Sequence, residues 1–320
     1  MTNKYNRRRK VKRQDRKYRG TKEWSPLSMN LIQGCLHNCR YCYGKSDNVY
    51  YKKTNPVNWE CEFVRFDRLT GKVGNKKKLI MYPSTHDIHP FHIDHHIYYL
   101  RKILRSGNQV LIVTKPHLSC IERICNEFEE YKGQILFRFT IGSMDNEVLK
   151  FWDVNSPSLQ ERLESLKLSY NLGFQTSISC EPLFDSNPDE LIETVQPYVT
   201  DSIWIGRGNR MGYRTSMNGW KDDETKEHLK ELKKWMDDDD HMISIYLRHK
   251  DNPLIRWKDS LRTQLNGYWR EPQSEPEPVE LGYETTNDLF NLLDGFYGNI
   301  NTYDDYLILK KQEKITKYGL

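Results

Sequence analysis

Long apolar runs are missing from this chain of 320 residues. No stretch approaches the roughly 18 apolar residues of a membrane-spanning helix, which argues against a membrane protein. The N-terminal region also lacks the apolar segment of a secretory signal. Only seven cysteines are present, an odd number that is too small for a disulfide framework. We therefore expect a cytoplasmic protein whose thiols bind metal or take part in chemistry.

Nucleotide-binding glycine loops are missing as well. The sequence contains no Walker loop. Gly206-Arg207-Gly208 follows a strand-like segment, but it lacks the third glycine of a dinucleotide-binding fingerprint. It is therefore weak evidence for a dinucleotide site.

Charge is unevenly distributed along the chain. Residues 1–20 hold ten Lys or Arg and one Asp, a net charge of +9, so the other 300 residues sum to −4 within a total of +5. We expect residues 1–22 to form a disordered basic arm. Such an arm can neutralise the phosphates of DNA or RNA, and it can equally be a solvated tail that aids solubility.

Strand-like and helix-like segments alternate from about residue 27. Short β-branched runs such as Gln109–Thr114 and Phe174–Cys180 are separated by helical patterns of about 10–15 residues. This alternation predicts parallel strands joined by right-handed crossovers, hence an α/β fold. We expect a partial (β/α)6-type TIM-like barrel over residues 23–250, with a flat doubly wound sheet as the alternative.

The two ends of this pattern are predicted separately. Leu27–Gln33 is predicted as the first strand and His241–Leu247 as the last. The acidic run Asp237–Asp240 is predicted to be a frayed helix end, because its charge opposes the dipole at a helix C-terminus. Residues 251–320 are predicted to form a C-terminal extension, in which the Pro/Glu-rich linker 271–280 leads to a small helical appendage.

Three cysteines follow the first predicted strand. Cys35, Cys39 and Cys42 have the spacing C-x3-C-x2-C, which places three thiols on one short loop. Thiolates are soft ligands that select zinc or iron–sulfur clusters. A structural cluster is usually closed by four cysteines, so three local thiols leave one metal position open for a substrate or cofactor. The alternative is a zinc site completed by Cys61 or His37, in a nucleic-acid-binding protein without catalysis.

This motif, with an aromatic residue before its last cysteine, resembles that of the radical S-adenosylmethionine (SAM) superfamily. The resemblance implies an enzyme in which Cys35, Cys39 and Cys42 hold three irons of a [4Fe–4S] cluster, while the fourth iron chelates SAM. It implies a flavodoxin- or ferredoxin-type electron donor and cleavage of SAM to a 5′-deoxyadenosyl radical that abstracts hydrogen from a substrate. Tyr41 then lies beside the adenine. The substrate stays unassigned, and the basic arm favours nucleic acid.

Further segments look like the spore photoproduct lyase-like branch of that superfamily. They are Tyr82–Asp87, Val113–Lys115, Thr140–Asp145, Asn155–Leu163, Cys180–Leu183 and Ile203–Gly206. Spore photoproduct lyase itself has a catalytic cysteine at the end of its second strand, where this chain has Tyr82-Pro83-Ser84. Thymine-dimer repair by that mechanism is therefore not implied.

The alternation within strands predicts which side chains enter the barrel. In Phe174–Glu181 polar residues alternate with apolar ones, so Cys180 should pack outward and Glu181 should point inward. Glu181 is then a SAM or substrate contact, or it forms a salt bridge at the barrel rim. The same alternation directs Arg138 and Thr140 inward.

Three more residues are predicted to contact SAM at the strand ends. Lys115 follows a buried strand, and the matching lysine of the related branch meets the SAM carboxylate. The same resemblance assigns Thr140 and Ser84 to the cofactor. Five histidines also occur from His86 to His96. Because their spacing is not helical, we expect a loop that lines the cofactor mouth, with a second metal site as the alternative.

Overall fold

The computed structural model describes residues 19–265 and Tyr268. The predicted basic arm up to residue 18, the linker 271–280 and the predicted helical appendage lie outside the described residues. Within the described part, no helix is long and apolar enough to cross a membrane.

A seven-stranded parallel sheet forms the centre of the fold. Its order is β1-β4-β5-β6-β7-β8-β9, so each strand pairs with the strand of this sheet that comes next along the chain. Strands β2 and β3 form a separate pair. The strands are β1 (Leu27–Ser28), β4 (Ile80–Tyr82), β5 (Val110–Thr114), β6 (Ile135–Thr140), β7 (Gln175–Cys180), β8 (Ile203–Ile205) and β9 (Ile255–Trp257). β1 and β9 do not pair with each other in this part of the chain. The predicted α/β partial barrel is thus confirmed, with seven parallel strands.

Helices connect the strands and cover the outer face of the sheet. They are α1 (Tyr43–Tyr50), α2 (Phe66–Thr70), α3 (Ile93–Arg105), α4 (Leu118–Glu127), α5 (Asn146–Trp152), α6 (Leu159–Asn171), α7 (Asp189–Val195), α8 (Met211–Met217), α9 (Asp223–Met236), α10 (Asp239–His249) and α11 (Asp259–Leu265). Ile97 of α3, Ile121 of α4 and Leu166 of α6 are fully buried in one core with the outward side chains of the strands. Apolar burial of this kind supplies most of the stability of an α/β layer fold.

The two faces of β6 have opposite character, as predicted. Phe137 and Phe139 are fully buried in the outer core. Arg138 points to the inner side, where it donates to Ser177 Oγ at 2.9 Å and pairs with Asp201 Oδ2 at 3.0 Å. The interior of the partial barrel is therefore polar and hydrogen-bonded, because a buried guanidinium needs such partners.

The first predicted strand is divided in two. Instead of one strand over Leu27–Gln33, β1 pairs with β4, and β2 (Ile32–Gln33) leaves the sheet to pair antiparallel with β3 (Phe63–Val64). Between them, Asn30 accepts hydrogen bonds from the backbone N–H groups of Ser84 and Thr85. This side-chain contact holds the chain between β1 and β2 at the end of β4. The cysteine loop that follows β2 therefore lies at the C-terminal end of the sheet.

The last predicted strand is wrong. His241–Leu247 lies inside helix α10 and not in a strand. The acidic run also has a different role from the one predicted, because Asp238 is the N-cap of α10 and accepts from two N–H groups of its first turn. Carboxylates at a helix N-terminus are stabilising, so these residues start a helix.

The sheet ends with β9, which lies beyond residue 250. Lys258 follows β9 and is fully buried. Its Nζ lies 2.7 Å from Gly20 O and 2.8 Å from Glu23 Oε2, and Glu23 also pairs with Arg262. The segment before β1 is thereby tied to the β9–α11 connection.

Candidate cofactor site

The three predicted cluster cysteines lie on one loop between β2 and α1. Gly34 precedes this loop with φ +93°, and a Cβ there would lie 2.7 Å from Trp59 O, so glycine is required. Cys35 N donates to Trp59 O at 3.0 Å. At the other end, Cys42 is the N-cap of α1, and its Sγ accepts from the first turn of that helix. The backbone therefore fixes both ends of the cysteine loop.

All three thiols are largely removed from solvent. Cys35 and Cys39 are each 5% exposed, and Cys42 is half-buried. Burial raises the pKa of each thiol, and Lys115 opposes this for the pKa of Cys39. Neutral buried thiols are poor nucleophiles, whereas a bound metal deprotonates a coordinating thiol outright. The donor set therefore suits a metal centre and not thiol catalysis.

A tighter mixed group of donors lies at the start of the loop. Cys35 Sγ, a ring nitrogen of His37 and a carboxylate oxygen of Asp87 are within 4.8 Å of one another. Among the described residues, the three loop cysteines do not form so tight a group. A zinc ion with bonds of about 2.3 Å would hold its sulfurs about 3.8 Å apart, closer than this arrangement brings all three of them.

Lys115 brings a positive charge to this loop. Its Nζ lies 3.7 Å from Asp87 Oδ2, 4.0 Å from Asp153 Oδ1 and 5.8 Å from the centre of the Tyr41 ring. Burial would lower the pKa of Lys115, but Cys39, Tyr41 and the two carboxylates outweigh it and hold that pKa well above its ordinary value. The ammonium group therefore stays charged beside the cysteines.

Two buried carboxylates position this lysine. Asp87 accepts from Lys115 N at 2.7 Å and lies 3.0 Å from His37 Nδ1, and Asp153 pairs with Arg162 Nη1 at 2.8 Å. Burial would raise the pKa of both carboxyl groups, but the neighbouring cations, Lys115 first, hold each pKa below its ordinary value. Both aspartates are thus anions at neutral pH.

Tyr41 joins this group from within the loop. It is 9% exposed, its hydroxyl donates to Asp153 Oδ1, and its ring meets the Phe184 ring edge-on at 5.4 Å. Together with Trp152 and Met211 it belongs to a second, smaller apolar cluster. The structure therefore brings together Tyr41, Lys115 and the cysteines, three of the features that the sequence placed at the cofactor.

Ser84 lies one step away, after β4. Its Oγ accepts from Asn30 Nδ2 at 2.9 Å, and its carbonyl oxygen accepts from the Tyr43 hydroxyl. Because Tyr43 is the first residue of α1, this contact holds the end of β4 against the helix whose N-cap is Cys42.

Thr140 and Glu181 occupy the ends of the next two strands. Thr140 is half-buried and opposite Ser179 in the sheet, and its carbonyl oxygen accepts from Arg162 Nη1 at 3.1 Å. Glu181 lies 3.5 Å from Lys258 Nζ and accepts from Ser260 Oγ at 3.2 Å. Of the two roles foreseen for Glu181, the salt bridge at the rim is the one present here. Cys180 is buried in the outer core, as predicted.

Several functional groups of this site were not foreseen. Lys45 Nζ donates to Asn38 Oδ1 at 2.7 Å, and Asn38 in turn donates to Glu60. Asn38 has φ +48°, a left-handed conformation that asparagine tolerates. These hydrogen bonds hold Asn38 of the cysteine loop in place. Leu36 of the same loop is held by a hydrogen bond from Asn155 Nδ2 to its carbonyl oxygen at 3.0 Å.

Comparison with known proteins agrees with this geometry. The sequence profile of the radical SAM superfamily matches residues 29–197, more than half of the chain and the stretch that holds the cysteine loop and Lys115.

The chain belongs to the radical SAM superfamily.

Solved structures of similar fold include two of spore photoproduct lyase. One, a double mutant with bound AdoMet and dinucleoside spore photoproduct, is 16% identical, with 73% of this chain and 76% of that chain covered and a TM-score of 0.47. The other, complexed with dinucleoside spore photoproduct, is 17% identical, with 71% and 74% covered and a TM-score of 0.45. No curated protein matches the chain. Identities of 16% and 17% do not establish that this radical SAM enzyme acts on the substrate of those proteins.

Membership of the superfamily makes this protein an enzyme that uses an iron–sulfur cluster and SAM. The residues present fit those groups. Three buried thiols offer the soft donors, and their raised pKa values mean that a bound metal must keep them ionised. Cys61, the fourth thiol considered for zinc, is exposed.

The predicted histidine loop of this radical SAM enzyme is only partly a loop, because His95 and His96 lie in helix α3. His86 and His96 are buried beside β4, where His96 Nδ1 lies 2.6 Å from the Tyr82 hydroxyl. His89 packs edge-on against His117, whose Nε2 is 2.9 Å from His37 Nε2. No metal-sized donor group in the described residues contains any of the five histidines.

Proposed function

We propose that this enzyme holds a [4Fe–4S] cluster on Cys35, Cys39 and Cys42 and binds SAM at the open iron. The observation that carries this is the loop itself, in which two buried thiols and one half-buried thiol with C-x3-C-x2-C spacing lie beside the largely buried ammonium group of Lys115. When bound and reduced, the cluster supplies the electron that splits SAM and yields a 5′-deoxyadenosyl radical for hydrogen abstraction.

The chain's own residues are proposed to bind and orient SAM. Lys115 offers its ammonium group to the SAM carboxylate, because a charge-assisted hydrogen bond is the strongest contact available there. Tyr41 borders the adenine, and Ser84, Thr140 and Glu181 supply polar contacts at the strand ends. Asp87 and Asp153 keep Lys115 charged and in place until the carboxylate arrives.

Burial gives the site a second property. Cys39, Tyr41 and Asp153 are all largely closed to solvent. Exclusion of water protects a reactive species from quenching and strengthens each electrostatic contact inside. This supports hydrogen abstraction from a substrate that closes the mouth of the partial barrel.

One proposed partner follows from the superfamily and the other from charge. An electron donor of the flavodoxin or ferredoxin type supplies the reducing electron, and a polyanion, DNA or RNA, is the proposed substrate or its carrier through residues 1–20. We place the enzyme in the cytoplasm, where thiols stay reduced. Thymine-dimer repair is not proposed, because Ser84 stands where spore photoproduct lyase itself has its catalytic cysteine.

Anaerobic purification tests this proposal. The expected result is a brown protein that contains iron and sulfide and that cleaves SAM to 5′-deoxyadenosine when dithionite reduces it. A colourless protein that contains zinc and leaves SAM intact would contradict it and support the zinc-stabilised alternative.

A further inference from the structure

An aromatic and basic surface lies outside the barrel, beside the cysteine loop. We call it the outer patch, and it comprises Tyr50, Tyr51, Lys52, Lys53, Val57 and Phe63. Its apolar members are conspicuously exposed, with 85% for Val57 and more than 60% for the three aromatic residues. A cluster of exposed apolar side chains with a charged rim marks a surface that a partner covers.

The outer patch surrounds a cavity of about 670 Å³. Besides patch residues, its lining includes Gly34, Thr54, Asn55, Pro56, Trp59 and Cys61. The Trp59 side chain is 2% exposed, and its Nε1 has no hydrogen-bond partner.

Charges are segregated across this segment. Lys52 and Lys53 are exposed, and Lys53 Nζ lies 5.8 Å from the centre of the Tyr51 ring. Glu60 and Glu62 turn inward instead, because Glu60 accepts from Asn38 and Asn155, and Glu62 accepts from the backbone of the cysteine loop. Asp47 of α1 is exposed nearby, but the outer patch itself holds two lysines and no carboxylate.

The outer patch is joined directly to the cysteine loop. Gly34 lines the cavity and precedes Cys35, whose N–H donates to Trp59 O at 3.0 Å. On the other side, α1 runs from its N-cap Cys42 to Tyr50, a path of about 12 Å at 1.5 Å per residue. None of the residues proposed to contact SAM lines this cavity.

We propose that the outer patch docks an acidic one-electron carrier protein, and this rests on the proposed function. The carrier loses one electron, the cluster gains it, and no bond or proton is transferred. Substrate and SAM fill the mouth of the barrel, so the electron has to enter from another side. The patch is a surface next to the cysteines that the proposed SAM contacts leave free, and its cations complement an acidic partner.

The competing occupant is single-stranded nucleic acid, whose bases stack on aromatic side chains. Two observations favour the carrier. Val57, the most exposed apolar residue of the patch, offers no stacking face. In addition, none of the strand-end residues proposed to contact SAM, where a nucleic-acid substrate has to meet the radical, lines the cavity of the patch.

The test compares two reductants in one enzyme. We expect the double variant Lys52→Glu, Lys53→Glu to cleave SAM as fast as the wild type with dithionite, which needs no docking. With a reduced acidic flavodoxin, its rate at low salt should fall by about tenfold or more, since rim charges control association. The matched control Lys76→Glu, Lys78→Glu reverses two exposed lysines before β4, at the opposite end of the sheet, and should keep both rates.

The outcomes separate the proposals. A flavodoxin-driven rate equal to the wild type in the Lys52, Lys53 variant overturns the docking site. If that variant instead loses binding of a single-stranded oligonucleotide while its flavodoxin-driven rate is kept, the patch belongs to nucleic acid. Failure of the wild type to cleave SAM even with dithionite overturns the proposed function, and the carrier site with it.

Discussion

Arg162 Nη1 lies 2.8 Å from Asp153 Oδ2, and both side chains are almost completely buried. The other carboxylate oxygen of Asp153 accepts from the Tyr41 hydroxyl. Asp153 thus links Arg162 of helix α6 to Tyr41 of the cysteine loop. The pair stabilises the fold only while both partners are present, because a buried charge without its partner is strongly unfavourable.

Removal of this carboxylate should destabilise the protein. We expect Asp153→Ala to lower the free energy of unfolding by about 3–5 kcal/mol, since Arg162 is left charged and unpaired. Urea denaturation followed by tryptophan fluorescence measures the change. In Glu147→Ala, which breaks the exposed pair with Lys150, stability should hardly change. Equal stability of the two variants would show that the buried pair contributes nothing.

The loop cysteines should be individually essential for the cluster. Replacement of Cys35, Cys39 or Cys42 by Ala removes one thiolate ligand, so iron content, the reducible [4Fe–4S] signal and SAM cleavage should all be lost. Iron analysis and electron paramagnetic resonance measure this. Cys61→Ala is the control, because that thiol is exposed, and it should keep all three properties. A full cluster in Cys39→Ala would remove Cys39 from the ligand set.

Loss of the Lys115 ammonium group should weaken SAM binding. A charge-assisted hydrogen bond is worth about 1.5–3 kcal/mol, so Lys115→Ala should raise the Kd for SAM by tens of fold. Lys115→Arg keeps the charge and should restore part of the affinity. Equilibrium dialysis with anaerobic enzyme measures both values, and an unchanged Kd in the Ala variant would place Lys115 outside the SAM site.

Acid should destabilise the fold through His86. Burial lowers the pKa of His86 to about 4, and its Nε2 accepts from Leu31 N and Ile32 N. The unfolded chain therefore takes up a proton first, and stability that is present above about pH 6.5 is lost as the pH falls toward about 4, by up to about 1.4 kcal/mol per pH unit.

The variant His86→Gln keeps an acceptor but does not titrate. Urea denaturation between about pH 7 and about pH 5 should show a shallower loss of stability in the variant than in the wild type. Parallel pH profiles for the two proteins would show that His86 does not contribute to acid sensitivity.

Deletion of the basic arm should change nucleic-acid binding alone. The deletion should stop at residue 18, because Gly20 O accepts from Lys258 Nζ. Full-length protein should bind oligonucleotides with a salt slope of about −0.7 to −0.9 per phosphate contacted, and truncation should flatten that slope. Cluster content and SAM cleavage without substrate should stay normal. Superimposable binding curves would remove nucleic acid as the partner of the arm.

Local sequence patterns were sufficient for the central strands β4 to β8 and for the cysteines. Alternation within a strand depends on neighbouring residues alone, so the inward direction of Arg138 and the outward packing of Cys180 could be predicted. The three thiols also lie within one loop. Helix α10 resembles a strand in the sequence because Met242–Leu247 is a short run of mostly apolar residues. Its N-cap, Asp238, lies in an acidic run that also fits the end of the preceding helix.

The carboxylates around Lys115 could not be predicted in the same way. Asp87 and Asp153 are 66 positions apart, and only the fold brings both to one lysine. No spacing rule joins residues on different strand ends. A signal did exist, since Asp87 ends the motif Tyr82–Asp87 and Asp153 lies two residues before Asn155–Leu163, but no local pattern indicated that their carboxylates meet. β9 was missed because Arg256 interrupts its three residues, whereas the equally short β4 and β8 are unbroken apolar runs.

The contacts of Lys258 and Arg262 with Gly20 and Glu23 join residues about 240 positions apart. A ribosome releases residues 20–23 long before it has made β9. Until then Glu23 has neither of its two cations, Lys258 and Arg262. Gly20 and Glu23 therefore stay without these contacts until β9, the last strand of the described residues, has been made. Contacts over such a sequence separation form late and slow the folding of a chain. During synthesis, this interval is when the unfinished sheet is most exposed to association with other chains.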